Sequence, residues 1–276
     1  MALFLITSLS CVKASPRKEK PLEDDSGISQ FTAEKDNEQV FRDFLDRILQ
    51  EAEIPQDLSL KIRETAEGGP SLIMDILTCL AGDPYLHLLV DKTHALPPGY
   101  APGDLVQLTG TAGGGSYEIS RHGLMLRSAA AEALEEMAAA AKADGVTLTV
   151  GSSYRSYDYQ VEVYTRNVEE SGQENADRES ARPGFSQHQT GLVVDFAPID
   201  NAFAGTPPGK WVLENAGRFG WSVSFPDGYE NITGYRWESW HYRYVGKDLA
   251  AFIDTYFASV QQYALRFLRQ WELAEQ

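Results

Sequence analysis

Two short segments of this chain carry residue types that can bind and use a metal ion. His188 and Asp195 lie seven residues apart in SQHQTGLVVD, where the aspartate ends an apolar, strand-like run. Glu238 and His241 form a second pair within a block of aromatic residues. A buried carboxylate is costly unless a cation or another partner compensates its charge. Two histidines and one aspartate can bind zinc and leave the fourth position open for water.

These residues divide into metal ligands and a base. We expect His188, Asp195 and His241 to bind zinc, which lowers the pKa of a bound water toward about 7. Glu238, outside the ligand set, is then the general base that takes a proton from that water. Residues i and i+3 of a regular strand point to opposite faces, so this glutamate can join the site only across a turn, a bulge or a helical twist. Arg155, in the polar turn after TLTVGSS, is the candidate that stabilises an oxyanion.

Other conspicuous residues near these motifs have simpler interpretations. The remaining histidines, His87, His94 and His122, lack a matched carboxylate in any motif and are interpreted as ordinary core or surface residues. The aromatic residues beside the metal pairs favour packing over substrate contact, and Trp240 is the best candidate to do both. A salt bridge alone would also satisfy the charge of Asp195.

The composition describes a globular chain with one substantial domain and an extension. It has 276 residues, of which 43% are hydrophobic and 23% are charged, enough to bury a sizeable core. A net charge of −16 would repel a polyanion, so nucleic acid is not an expected partner. Cys11 and Cys79 are the two cysteines, so no disulfide framework is expected, and Cys79 is interpreted as a buried free thiol.

The amino terminus has the features of an export signal. The run MALFLITSLSCVKAS is too short to span a bilayer as a mature helix but fits the core of a signal peptide. Cleavage near residues 12–14 and lipidation of Cys11, which would attach the protein to a membrane, both stay open, as does an ordinary buried segment. We expect an exported protein of the periplasm or cell envelope, with a signal over residues 1–14 and a polar linker over residues 15–37.

Apolar periodicity divides the rest of the chain into a helical module and a mixed domain. Residues 38–83 are predicted to form a small helical amino-terminal module, because apolar residues recur at helical spacing and glycine and proline follow the second and third pieces. Over residues 84–276, short strands alternate with helices, and the last segment predicts a carboxy-terminal helix. The predicted fold class is α+β, with a small antiparallel sheet flanked by helices around the zinc site.

Three segments of the chain together resemble a known family. ARPGFSQHQTGLVVDF, GSSYRSYDYQ and GYRWESWHYRYVG are similar to the D-alanyl-D-alanine carboxypeptidases of the VanY type, zinc peptidases that trim bacterial cell-wall stem peptides. The similarity runs over residues 86–246 and so does not depend on one motif. It implies that residues 84–276 are a zinc peptidase domain.

The resemblance also implies a role for each matching residue. The zinc ligands are His188, Asp195 and His241, and the base is Glu238, in agreement with the roles expected from chemistry. Arg155 would stabilise the transition state or hold the terminal carboxylate of the substrate. The other matching positions are expected near the substrate: Tyr154, Ser156, Gln160, Ser186 and Trp240.

The implied activity is that of a zinc D,D-carboxypeptidase. Such an enzyme removes the C-terminal D-alanine from peptidoglycan stem peptides by direct attack of zinc-bound water. An L,D-carboxypeptidase acting on tetrapeptide stems is an alternative, because family members with the same catalytic set differ in the bond they cut. A non-catalytic cell-wall-binding module that keeps zinc only as a staple is another, which Glu238 disfavours because a structural site needs no unligated base.

Overall fold

The protein is described by a computed structural model over residues 26–97, 99–110 and 115–276, with side chains from residue 38 onward. Within these residues, helices surround one five-stranded and one two-stranded sheet, which confirms the predicted α+β class. The predicted signal segment, residues 1–14 with Cys11, lies outside the described part. No helix in the described ranges combines the length and apolarity needed to cross a bilayer.

Helices open and close the described chain. In chain order they are α1 (Ser26–Glu51), α2 (Gln56–Glu67), α3 (Ser71–Leu80), α4 (Ser128–Ala143), α5 (Tyr157–Ser171), α6 (Gln173–Glu179), α7 (Pro207–Asn215), α8 (Glu230–Thr233), α9 (Lys247–Tyr256) and α10 (Gln261–Ala274). α1 begins within residues 15–37, the range predicted as a linker. After Gly27 no glycine or proline interrupts it, and these are the residues that most disfavour a helix.

The central sheet is mixed. The strands are β1 (Leu105–Gln107), β2 (Tyr117–Ile119), β3 (Met125–Arg127), β4 (Leu148–Ser152), β5 (Val193–Phe196), β6 (Trp221–Val223) and β7 (His241–Tyr244). The five-stranded sheet has the order β2-β4-β5-β7-β6, and β1 pairs with β3. The predicted antiparallel pairing holds for β4-β5, β5-β7 and β6-β7. β2 and β4 are parallel, because the connection between them includes α4, and a parallel pair needs such a crossover.

The amino-terminal and carboxy-terminal helices share one hydrophobic core. Phe44 on α1 meets Trp271 on α10 edge to face, with ring centroids 5.1 Å apart. The thiol of Cys79 is buried in the same core, and burial raises its pKa to about 12. Other members are apolar and almost fully buried: Leu45, Ile48, Ile62, Leu72, Ile76, Phe252, Ile253, Phe257, Phe267 and Leu268. Each buried side chain of this size contributes roughly 1.5–3 kcal/mol, so the helices of residues 38–83 stabilise α9 and α10 directly.

Buried polar side chains hold the irregular segment between α3 and β1. Arg243 on β7 is fully buried, and its Nη2 donates to the carbonyls of Tyr85 at 3.0 Å and Leu88 at 2.9 Å. Asp91 is also buried, and its Oδ2 accepts a hydrogen bond of 2.7 Å from Nε2 of Gln262 on α10. The segment is thereby fixed to the sheet at one point and to the last helix at another.

Replacing Asp91 should measurably destabilise the fold. Its Oδ1 accepts the backbone N–H groups of Thr93 at 2.8 Å and His94 at 2.9 Å, besides the bond from Gln262. We expect Asp91→Ala to lower the free energy of unfolding by about 2–3 kcal/mol, because buried donors lose their acceptor. Urea unfolding at neutral pH measures the change. Asp200→Ala is the matched control.

Asp200 accepts a backbone N–H in the same way but is exposed, so its replacement should cost less, about 1 kcal/mol. Equal losses in the two variants would contradict the anchoring role of Asp91. Burial raises the pKa of Asp91, but hydrogen bonds from Thr93 and His94 outweigh it and leave this pKa lowered. The contribution of Asp91 is therefore complete above its unfolded pKa of about 3.9 and is lost as the pH falls through the lower folded value.

Candidate active site

The central strand places two predicted ligands opposite each other. Asp195 on β5 is in register with His241, the first residue of β7. His188 lies just before β5, on the short 3-10 turn Gln187–Thr190. Gly191 follows this turn with φ of +72°, a conformation that favours glycine, and leads the chain into β5. The ligand atoms of the three residues all lie within 4.8 Å of one another.

The three side chains form a compact, buried group. Nε2 of His188 lies 3.2 Å from Oδ2 of Asp195, and Nδ1 of His241 lies 3.1 Å from Oδ1 of Asp195. Nevertheless, His188 Nε2 and Asp195 Oδ1 are buried without a hydrogen-bond partner. Such atoms are costly to leave unsatisfied, and a cation between them would satisfy both. Two imidazoles and one carboxylate are a donor set that suits zinc, so the residues fit the predicted metal.

Each histidine is held through the ring nitrogen that faces away from this group. Nδ1 of His188 lies 2.7 Å from the carbonyl of Ser153, so it donates there and leaves the lone pair on Nε2. Nε2 of His241 lies 3.3 Å from Oε1 of Gln187, and its Nδ1 faces the carboxylate of Asp195. Hydrogen bonds of this kind fix the tautomer and the ring orientation of metal-binding histidines.

Glu238 reaches the same cavity from the turn that precedes β7. The backbone N–H of His241 lies 3.4 Å from the carbonyl of Glu238, which closes the turn that the i, i+3 spacing requires. Oε2 of Glu238 lies 3.2 Å from Nδ1 of His241. Burial raises the pKa of this carboxyl, and a carboxylate with a raised pKa is a stronger base.

Arg155 lines the cavity together with the ligand group and Glu238. It follows β4, whose last residue, Ser152, pairs with Asp195 across the sheet. The backbone N–H of Arg155 donates to the carbonyl of His188 at 3.2 Å, which fixes the turn beside the ligand. Its Nε is buried without a partner. A cation is thus positioned near two carboxylates, in a cavity of about 150 Å³.

The remaining predicted residues fall into two groups. Ser186 and Trp240 line the cavity. Gln160 is fully buried, and its Nε2 donates to the carbonyl of Ala181, a lining residue, at 2.7 Å. Ser156 caps α5. Contact of Ser156, Tyr154 and Gln160 with the substrate stays a prediction.

Part of the cavity wall was not predicted from sequence. Phe225 packs on the ring of His241, with centroids 4.7 Å apart, and Tyr235 packs on Phe225 at the same separation. Both line the cavity, as do Phe185 and Gln187. The density of aromatic residues before His241 was visible in the sequence, but nothing in their spacing distinguished wall residues from packing residues.

Comparison with known proteins relates the whole site to one family. Residues 123–247 match the family model VanY, described as D-alanyl-D-alanine carboxypeptidase. The chain is 39% identical over 181 residues to YodJ of Bacillus subtilis strain 168, which bears a carboxypeptidase name; the match covers 63% of this chain and 65% of that one. It is 39% identical over 126 residues to a D-alanyl-D-alanine carboxypeptidase of Enterococcus faecalis strain V583, covering 42% of this chain and 47% of the relative. The chain therefore spans about half to two thirds of these relatives.

Solved structures show the same relationship. The LdcB LD-carboxypeptidase is 38% identical with a TM-score of 0.54, over 62% of this chain and 85% of that one. A variant of the vancomycin resistance D,D-pentapeptidase VanY, in complex with Zn(II), is 30% identical with a TM-score of 0.55, over 66% of this chain and 99% of that one. Together, these comparisons relate the fold to that of carboxypeptidases. More narrowly, the chain belongs to the VanY-type D-alanyl-D-alanine carboxypeptidase family, which confirms the relationship predicted from the three motif segments.

Proposed function

We propose that this protein is a zinc-dependent D,D-carboxypeptidase that removes the C-terminal D-alanine from peptidoglycan stem peptides. One observation carries the proposal: a buried carboxylate, Glu238, shares the cavity with the group formed by His188, Asp195 and His241. A site that bound zinc only to stabilise the fold would need no separate base beside it. This argues against the non-catalytic wall-binding module.

The donor set and a relative support zinc as the cofactor. His188 would bind through Nε2 and His241 through Nδ1, because their other ring nitrogens are held by Ser153 and Gln187. Asp195 would supply a carboxylate oxygen. When bound, zinc would lower the pKa of a water toward about 7 and so supply the nucleophile. The Zn(II) complex of the VanY relative favours this metal.

Two residues of the chain carry the acid-base and charge-stabilising steps. Glu238 would accept the proton of the attacking water and return it to the leaving amine, for which its burial and raised pKa are suited. Arg155 would place its positive charge beside the oxyanion or the terminal carboxylate of the substrate. The cavity is small and partly aromatic, with Phe185 and Phe225 in its wall, which favours a small C-terminal residue.

An L,D-carboxypeptidase acting on tetrapeptide stems is the second candidate function. The specific observation in its favour is the 38% identity to the LdcB LD-carboxypeptidase, over 85% of that chain. The catalytic residues serve either reaction, because both release one C-terminal D-alanine through the same hydrolytic chemistry. The two candidates differ in the residue that precedes the cleaved bond.

A panel of synthetic stem tetrapeptides and pentapeptides tests both candidates. We expect the zinc-loaded protein to shorten the pentapeptide by one D-alanine, as measured by mass spectrometry. Treatment with a chelator should stop the reaction, and added zinc should restore it. Cleavage of the tetrapeptide alone would select the L,D activity, and cleavage of neither would reject carboxypeptidase activity.

The substrate of this proposal lies outside the bacterial cytoplasm, so the proposal includes export to the cell envelope. The predicted signal over residues 1–14, and lipidation of Cys11 as the route to membrane attachment, stay predictions from the sequence, because both lie outside the described residues. Stem peptides are the proposed partners of the domain.

A further inference from the structure

Gln187 precedes a predicted ligand in sequence but contacts a different one in space. It lies between Ser186 and His188 on the turn Gln187–Thr190 and is 5% exposed. Its side chain extends to His241 on β7, where Oε1 lies 3.3 Å from the ring Nε2. The proposed hydrolytic steps themselves do not use this buried amide.

Two neighbours determine which end of the amide faces the histidine. Nε2 of Gln187 lies 3.5 Å from the carbonyl of Val90, toward which it donates. Oγ of Ser224 donates to Oε1 of Gln187 at 2.7 Å. A flipped amide would set its oxygen against the carbonyl of Val90, where neither atom can donate. The oxygen of Gln187 therefore faces His241.

The orientation of the amide decides the tautomer of His241. An amide oxygen only accepts hydrogen bonds, so Nε2 of His241 carries the proton and donates it to Gln187. Nδ1 lies 3.1 Å from Oδ1 of Asp195 and 3.2 Å from Oε2 of Glu238, so with the proton held on Nε2 it is the nitrogen that is left to bind a metal. The backbone N–H of Ser224 also donates to the carbonyl of His241 at 3.2 Å. Ser224 therefore contacts both Gln187 and His241 and holds the two residues beside each other.

We propose that Gln187 is a positioning residue that fixes the tautomer and ring orientation of His241 for metal binding. The proposal rests on the proposed zinc site. The turn Gln187–Thr190 then positions both histidine ligands, because it contains His188 and because Gln187, the residue before His188, holds His241. Partners of this kind raise the basicity of a metal-binding histidine, and their loss typically costs about 10-fold to 100-fold in metal affinity.

Some of the residues that hold the side chain of Gln187 in place lie outside residues 123–247, the region that matches the family. Val90 lies in the irregular segment before β1. Ser224 Oγ lies 3.5 Å from Oε1 of Gln261, the first residue of α10. The segment and the last helix therefore border the pocket that holds Gln187, which gives them a role beyond packing.

Two substitutions test the role of Gln187. Gln187→Met keeps the length of the side chain but removes the acceptor, and we expect zinc to bind about 10-fold to 100-fold more weakly. Gln187→Glu keeps an acceptor, and we expect it to bind zinc more tightly than the methionine variant. Competition with a chromophoric chelator measures both affinities. Equal affinity of wild type and Gln187→Met, or no recovery in Gln187→Glu, would overturn the proposal.

Gln189→Met is the matched control for a general effect on the fold. Gln189 lies on the same turn, is 2% exposed, and donates through Nε2 to the carbonyl of Tyr100 at 3.0 Å. Both methionine variants lose one buried amide, so a purely structural effect would weaken zinc binding equally in the two. We expect Gln189→Met to bind zinc as wild type does.

A second measurement separates this proposal from the proposed function. In metal-free protein, NMR of the nitrogen-15-labelled ring detects the Nε2–H proton of His241. We expect this proton to be hydrogen-bonded and slow to exchange with solvent in wild type and in Gln189→Met, and to lose that hydrogen bond in Gln187→Met. If wild type bound no zinc, the proposed function would fail while this readout still tested Gln187. An unchanged Nε2–H signal in Gln187→Met would contradict the role of Gln187 even if zinc bound normally.

Discussion

Glu238→Gln should bind zinc as the wild type does and lose about 100-fold to 10,000-fold in kcat/KM on the stem peptide that the wild type cleaves. The glutamine has nearly the same shape as the glutamate but cannot accept a proton. Glu238 is outside the ligand group formed by His188, Asp195 and His241, so the metal should stay. Steady-state kinetics on the peptide, with the zinc content measured on the same preparation, tests both parts.

Glu230→Gln is the control for this variant. Glu230 lies eight residues earlier and pairs with Arg178 at the surface, with Nε to Oε1 at 2.5 Å, so the same substitution there should leave kcat/KM near its wild-type value. Full activity of Glu238→Gln would remove this residue from the mechanism. Loss of zinc together with activity would instead make Glu238 part of the metal site.

Asp195→Ala should abolish the stabilisation that zinc gives to the fold. A ligand that binds only the folded state, at 100 times its dissociation constant, raises the free energy of unfolding by about 2.7 kcal/mol. For the wild type this corresponds to a rise in Tm of several degrees, roughly 2–4 °C for each kcal/mol. Asp195 lies between the two histidines, 3.2 Å from His188 and 3.1 Å from His241. Its removal leaves two imidazoles, so we expect no zinc-dependent rise in Tm.

Thermal unfolding with and without zinc measures this effect. Asp200→Ala, which changes an exposed aspartate five residues later, should keep the full zinc-dependent rise. A normal rise in Asp195→Ala would contradict the ligand assignment. Loss of the rise in both variants would point to a general defect of the segment that follows β5.

Chemistry that resides in short motifs could be predicted without the structure. His188 and Asp195 are separated by one tight turn and half a strand, so local geometry alone brings them close. The spacing of Glu238 and His241 required a turn between them, and the structure has that turn before β7. The costs of burying a carboxylate and the ligand preferences of zinc are properties of residue types, and they hold wherever the residues lie.

The mixed sheet and the shared helical core could not be predicted in the same way. Short strands of three to five residues give little periodicity, so the direction in which β2 pairs with β4 was not visible. The helices of residues 38–83 looked like a separate module, because an amphipathic pattern shows that a face is buried but not what buries it. In the structure, α9 and α10 complete that core.

The sequence by itself determined the three candidate ligands and the candidate base, because these follow from residue types at short spacing. It also determined the α+β class, through alternating strand and helix patterns, and the family, through the resemblance of three segments. Only the tertiary structure decided that Gln187 faces His241 and that Phe225 and Tyr235 form one wall of the cavity. It also decided that Gln160 contacts Ala181, a residue of the cavity lining. These contacts join residues from different strands, turns and helices. Such contacts depend on register and packing across the whole domain, and no local pattern encodes them.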